Sequence, residues 1–234
     1  MSGITSMANR VDFDDYSQDY QKLVTDSLGL CGEADDYFDQ YKINCLRRWV
    51  VESDNCFDIL DFGCGIGKQT ALMAKVFPNA AIVGFDISKK SVAIAREKSA
   101  PADNVRFSDQ LPTKGRYDVI VAANVFHHIL PEDRLKTLVD LKHQLKPNGR
   151  LVVFEHNPLN PLTRYAVSTC PFDVDAVLVW PNQFVRLARS IGIEIDQKRY
   201  IVFFPKLLKI FRSLEPQLWW LLVGAQYMLV LKKA

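Results

Sequence analysis

The sequence predicts an α/β domain built on parallel strands, and three observations carry that prediction. An apolar run, Phe57 and Ile59 to Phe62, ends in three glycines at every second position, Gly63, Gly65 and Gly67, and helical spacing resumes at once with Lys68-Gln-Thr-Ala-Leu-Met-Ala-Lys-Val-Phe. A second unit comes next, in which the apolar strand Ala81-Ile-Val-Gly-Phe ends at Asp86. The 234 residues, 48% hydrophobic and 24% charged, are enough for one well-packed domain with an added cap. Net charge is only +2, from 29 basic and 27 acidic residues, so no strong field for nucleic acid or an anionic surface is expected overall.

The glycines fall on a strand-to-helix turn. Such a turn needs residues without Cβ where the backbone bends sharply and a ligand comes close, and the amide groups that open the helix favour a negative group. Asp86 stands nineteen residues beyond Gly67, where a carboxylate can accept hydrogen bonds from both hydroxyls of a ribose. The glycine spacing is G-x-G-x-G and not the dinucleotide pattern G-x-G-x-x-G. At these residues the chain resembles the class I S-adenosylmethionine-dependent methyltransferases, whose first motif is acid-x-G-x-G-x-G, here Asp61, Gly63, Gly65 and Gly67.

The resemblance implies a Rossmann-like three-layer sandwich, with a seven-stranded, mostly parallel sheet whose last strand is antiparallel. It also implies S-adenosylmethionine as cofactor. Asp61, Gly63, Cys64, Gly65 and Gly67 would then lie along the methionine part, Asp86 with Ile87 at the ribose, Ser108, Asp109 or Gln110 at the adenine, and Asn124 with Val125 near the sulfonium.

Ahead of this core, residues 1–10 read as a tail, and 12–52 as two helical segments parted near Gly29 and Gly32. The division expected is a helical cap over 1–52 and a cofactor-binding core over 53–234. Tyr16, Tyr20, Tyr41 and Lys42 are candidates to line a cleft beneath that cap, the alternative being aromatics buried against the sheet. Asp35, Asp36 and Asp39 are expected on a solvated face. The five cysteines include no C-x-x-C pair, which predicts reduced thiols and neither a disulfide framework nor a metal site. The start of the chain lacks a basic, then apolar, signal pattern, and no run of eighteen apolar residues occurs; a cytoplasmic protein is expected.

After Asp86, Ser88 reads as the N-cap of a helix ended by Pro101, and Asn104-Val-Arg-Phe-Ser-Asp as the third strand. The fourth strand, from Tyr117, delivers Asn124, Val125, Phe126, His127 and His128 to the sheet edge that carries the glycine loop. The chain has Asn-Val-Phe-His where enzymes that methylate nucleic-acid amino groups place a Pro-Pro-aromatic platform, so no nucleic-acid partner is expected. His127 or His128 can accept a proton from an attacking hydroxyl, or simply pack. A helix with Pro131 in its first turn closes at Lys146-Pro-Asn-Gly, and the fifth strand, from Arg150, ends at Glu155 and His156. That pair is the second catalytic candidate, the alternative being a Glu155 paired with Arg164 or Arg150.

Residues 157–183 combine prolines with aromatic and aliphatic side chains, which predicts an ordered insertion that shapes the substrate pocket. Asn157, Asn160, Arg164 and Tyr165 are its candidate polar contacts, Phe172 and Trp180 its apolar walls. A short helix from Pro181, a sixth strand from Ile193 to Phe204, a basic amphipathic helix from Pro205 with the Trp219-Trp220 pair, and a closing strand from Gln226 complete the chain. The basic helix either packs or meets a membrane interface. The expected activity is methyl transfer to an oxygen of a small molecule, saccharide or lipid-linked intermediate. Two other readings remain open: a silent cofactor-binding partner protein and a nicotinamide-dependent oxidoreductase.

Overall fold

The computed structural model describes residues 37–49, 57–98, 103–111, 117–170, 173 and 175–233. Tyr16, Tyr20, Phe172 and the first cap segment lie outside them. In chain order the elements are α1 (Tyr37–Trp49), β1 (Asp58–Phe62), α2 (Lys68–Val76), β2 (Ala81–Phe85), α3 (Lys89–Lys98), β3 (Val105–Ser108), β4 (Tyr117–Ala123), α4 (Arg134–Gln144), β5 (Leu145–His156), α5 (Pro161–Thr169), α6 (Pro181–Ser190), β6 (Ile193–Ile201) and β7 (Gln226–Lys233). Two 3₁₀ segments, Phe126–His128 and Lys206–Gln217, complete the set.

The strands form one seven-stranded sheet in the order β3-β2-β1-β4-β5-β7-β6. β1 pairs in parallel with β2 and β4, and β4 with β5, while β7 runs antiparallel between β5 and β6. The sheet is therefore the one expected, with its reversed strand placed between two others. Strand alternation divides the core. Leu60, Ile120, Ala122, Leu151, Val153, Leu229 and Leu231 pack on one face with Leu138 and Leu141 of α4 and Phe184 and Ala188 of α6. Ile59, Val119, Val121, Val152, Met228 and Val230 pack on the other with Met73 and Ala74 of α2 and Ile43, Cys45 and Leu46 of α1. Where both faces are covered, as in β1, β4 and β7, the strands are apolar almost throughout.

Several boundaries differ from the sequence reading for local reasons. Ser88 caps α3 as expected, its Oγ accepting from Ser91 N at 3.0 Å. α4 starts at Arg134 and not at Pro131, because Leu130 O first takes the amides of Asp133 and Arg134 in a turn. β5 begins already at Leu145, but its register against β4 breaks, from Tyr117 opposite Leu145 to Val119 opposite Arg150. β6 stops at Ile201 because Val202 takes a left-handed conformation, φ 60°. The expected basic α-helix is a 3₁₀ segment, with Pro216 inside it and non-helical angles at Leu208. It is tied down by buried Glu215, which accepts from the amides of Phe203 and Phe204 at 3.1 and 2.9 Å.

Candidate active site

The carboxyl ends of β1, β2 and β4 open into one cavity. The three glycines of the β1–α2 loop all adopt left-handed backbone, and their surroundings are of two kinds. A Cβ on Gly63 would meet Val125 Cγ2 at 2.5 Å, and one on Gly67 would meet Ala95 and Phe107 at 2.9 Å, so both serve close packing. A Cβ on Gly65 would meet nothing within 4 Å: there the backbone borders open space. Asp86 fixes this loop, its Oδ2 accepting from Gly65 N at 2.8 Å and its Oδ1 from Ser88 N at 2.9 Å.

Asp61 is buried beneath the loop and accepts from Thr70 Oγ1 at 2.6 Å. Burial raises its pKa to about 7 against the opposing effect of that hydrogen bond. Lys42 of α1 is buried on the same cavity, and burial lowers its pKa while Asp39, Glu155 and Asp61 pull the other way. Asp39 also lines the cavity, with its carboxylate 3.5 Å from Lys68 Nζ. The solvated face expected for Asp39 is therefore corrected: α1 turns it inward, one turn before Lys42.

On the opposite wall, Asn124 takes a left-handed conformation, φ 58°, as its N–H bonds to Phe154 O at 2.8 Å. Its Oδ1 is buried without a hydrogen-bond partner. Cys64, Ile87 and Val125 line the cavity, with Ile66, Lys68, Gln69 and Ser91, four residues that motif reasoning passed over. Gly67, Ser108, Asp109 and Gln110 do not line it. The Ser108 hydroxyl instead bridges the backbone N–H and C=O of Gln110, at 3.1 and 2.8 Å.

Of the four catalytic candidates, His128 alone lines the cavity. His127 and Glu155 are fully buried behind it, joined Nδ1 to Oε2 at 2.6 Å, while Glu155 Oε1 accepts from Phe126 N at 2.7 Å. Glu155 therefore pairs with neither arginine proposed for it; Arg150 faces Asp196 at 3.8 Å. His156 sits against His127, ring centroids 5.0 Å apart. Burial opposes charge on His127, but Glu155 and Asp173 outweigh it and raise its pKa to about 9. Burial and then His127 lower His128 to about 3 and His156 to about 4.

The substrate candidates fall elsewhere. Asn157 is fully buried, donating to Leu222 O and Gly224 O at 2.7 Å each and accepting from Leu159 N at 3.1 Å, so it clamps backbone. Asn160 caps α5 through Thr163 N at 3.0 Å and donates to Val223 O at 2.7 Å. Arg164, Tyr165 and Trp180 are exposed. Tyr41 is partly buried against the core beside Glu215, where burial raises its pKa above the ordinary range.

The family model for a methyltransferase domain matches residues 60–151, the stretch that builds the glycine loop, Asp86 and Asn124. Over this stretch the chain is similar to the class I S-adenosylmethionine-dependent methyltransferase superfamily. Malonyl-[acyl-carrier protein] O-methyltransferase of Halalkalibacterium halodurans is 30% identical over 156 residues, covering 63% of this chain and 51% of the relative. Trans-aconitate 2-methyltransferase of Mycobacterium tuberculosis is 33% identical over 153 residues, covering 59% and 57%. The chain thus spans about half the length of these relatives.

Two solved structures share the fold. A SAM-dependent methyltransferase from Aquifex aeolicus gives a TM-score of 0.61 at 15% identity, over 90% of this chain and 98% of that one. Magnesium protoporphyrin IX methyltransferase from Synechocystis, with SAH bound, gives 0.64 at 15% identity, over 96% and 100%. S-adenosylmethionine is the cofactor that goes with the superfamily, and the cavity fits it. Open space borders the Gly65 backbone, an acceptor atom of Asn124 waits buried without a partner, and acids and a lysine face each other as an amino-acid zwitterion requires.

Proposed function

We propose that the chain moves the methyl group of S-adenosylmethionine to an oxygen of a small molecule, saccharide or lipid-linked acceptor. When bound, the cofactor supplies a methyl already activated by its sulfonium. The protein's share is position: Asp86 and the Gly65 backbone hold the nucleoside side, Asp61 and Lys42 the charged ends of the methionine part, and Asn124 the region of the sulfonium. Asp39 and Lys42, both on α1, support the reading that the segment before β1 caps the cofactor.

The observation that carries the reading is His128, the catalytic candidate whose ring borders the same cavity as Asp86 and Asn124. We place it beside the acceptor oxygen. His127, Glu155 and His156 stand behind it as positioning groups. An O-methylated product in the relative's name, malonyl-[acyl-carrier protein] O-methyltransferase, supports an oxygen acceptor.

The test is His128→Gln. Turnover with a responsive acceptor is expected to fall by about 10²-fold or more, the usual size of one acid–base or ligand contribution, with affinity for S-adenosylhomocysteine kept within about threefold. Unchanged turnover would remove His128 from the chemistry.

A further inference from the structure

We propose that His127, His128 and Asp173 form a site for one divalent transition-metal ion, beside the cofactor cavity. One ligand atom from each lies within 4.8 Å of the others. Asp173 Oδ1 is 3.5 Å from His127 Nε2 and 3.4 Å from His128 Nε2. Those separations exceed a good N–H···O hydrogen bond, about 2.7–3.2 Å. They equal the edge of a tetrahedron whose centre lies ~2.1 Å from each corner, the bond length of zinc to nitrogen or carboxylate oxygen.

A second observation points to a ligand at the same spot. Asp173 is 8% exposed, and its Oδ1 has no hydrogen-bond partner. A buried carboxylate oxygen whose nearest donors stand 3.4 and 3.5 Å away is poorly satisfied, and a cation between it and two imidazoles removes that cost. The surroundings are those of a ligand shell. Glu155 accepts from His127 Nδ1 at 2.6 Å, so that a metal displacing the Nε2 proton would meet a lone pair facing Asp173, the carboxylate–histidine–metal arrangement. Hydrogen bonds link the ligand-bearing segments: Val177 N donates to His127 O at 2.8 Å, and Arg134 ties Phe126 O and Ile129 O to Val177 O at 3.1, 3.0 and 2.6 Å. The segment bearing Asp173 is thereby laced to the histidine turn.

Two imidazoles and one carboxylate suit Zn²⁺, Fe²⁺ or Co²⁺ better than Mg²⁺ or Ca²⁺, which take oxygen ligands. Three protein ligands leave a coordination position open, and His128 borders the cavity. At that position the ion acts as a Lewis acid on the acceptor oxygen, so that its proton leaves to solvent before the methyl arrives. This role rests on the proposed O-methylation; the site itself does not.

The experiment is titration of the metal-free full-length chain with Co²⁺, monitored by its visible absorption, with S-adenosylhomocysteine affinity measured on the same samples. One saturable equivalent is expected, weakened at least tenfold in Asp173→Asn and His128→Gln and about 10–100-fold in Glu155→Gln, and unchanged in His143→Gln, a change to an exposed histidine. S-adenosylhomocysteine affinity should survive in all four, which shows that each variant is folded. A native chain without a saturable signal, or Asp173→Asn with native Co²⁺ affinity, overturns the proposal. Cobalt binding without S-adenosylhomocysteine binding leaves the metal site standing and removes the methyl-transfer reading.

Discussion

At the scale of single residues, Gly65 and Gly67 share a left-handed backbone but differ in what surrounds them. Alanine at either position costs ~1–2 kcal/mol of backbone strain. At Gly67 the added methyl also meets Ala95 and Phe107 at 2.9 Å, so Gly67→Ala is expected to lower stability by roughly 2–5 kcal/mol. At Gly65 the methyl points into the cavity, and Gly65→Ala is expected to keep most of the stability while S-adenosylmethionine affinity falls at least tenfold, or ~1.4 kcal/mol. Urea melts and calorimetric titration of the two variants separate these outcomes; equal losses of stability and affinity in both would refute the division of roles. The glycine motif was legible in the sequence. Which glycine faces ligand was not, since that depends on Phe107 and Val125, from β3 and the end of β4.

At the scale of elements, the end of β5 meets the β6–β7 connection through Asn157. Its side chain holds two backbone carbonyls and a backbone amide. Asn157→Ala is expected to cost about 2–4 kcal/mol in thermal or chemical denaturation and to leave the Michaelis constant for the acceptor unchanged. A raised Michaelis constant at unaltered stability would restore it as a substrate contact. The sequence placed Asn157 correctly just after β5, but not the direction of its side chain, which the distant Leu222 and Gly224 decide. The histidine turn shows the same limit. His127, His128 and Glu155 were legible as groups at the ends of β4 and β5, whereas Asp173 carries no local signal: it reaches the turn only through the Val177 and Arg134 hydrogen bonds.

At the scale of the whole molecule, the apolar strands β1, β2, β4 and β7 and the G-x-G-x-G loop were legible in the sequence, and the seven-stranded sheet with its reversed last strand was what the resemblance carried by those residues implied. The tail was less legible. Within the 3₁₀ segment and the turn after it, Leu207 is 91%, Ile210 75% and Trp220 61% exposed, with Leu162 of α5 69% exposed and Lys206 and Lys209 also at the surface. Packing, the first alternative for this stretch, does not account for those side chains. We propose that they meet an anionic bilayer, as a lipid-linked acceptor would require. No helix among the described residues is long and apolar enough to cross a membrane. The chain is expected to sediment with vesicles containing anionic phospholipid, and Leu207→Glu with Trp220→Glu to reduce that several-fold; sedimentation no greater than that of a soluble control would refute it.

The central claim, that the cavity at the ends of β1, β2 and β4 binds S-adenosylmethionine, is tested most directly by calorimetric titration. The native chain and Asp86→Ala are titrated with S-adenosylmethionine, S-adenosylhomocysteine and NAD. Binding of the first two, no binding of NAD, and at least tenfold weakening in Asp86→Ala with a native-like melting curve are predicted. No binding of either sulfur cofactor, a preference for NAD, or undiminished affinity in Asp86→Ala would contradict it.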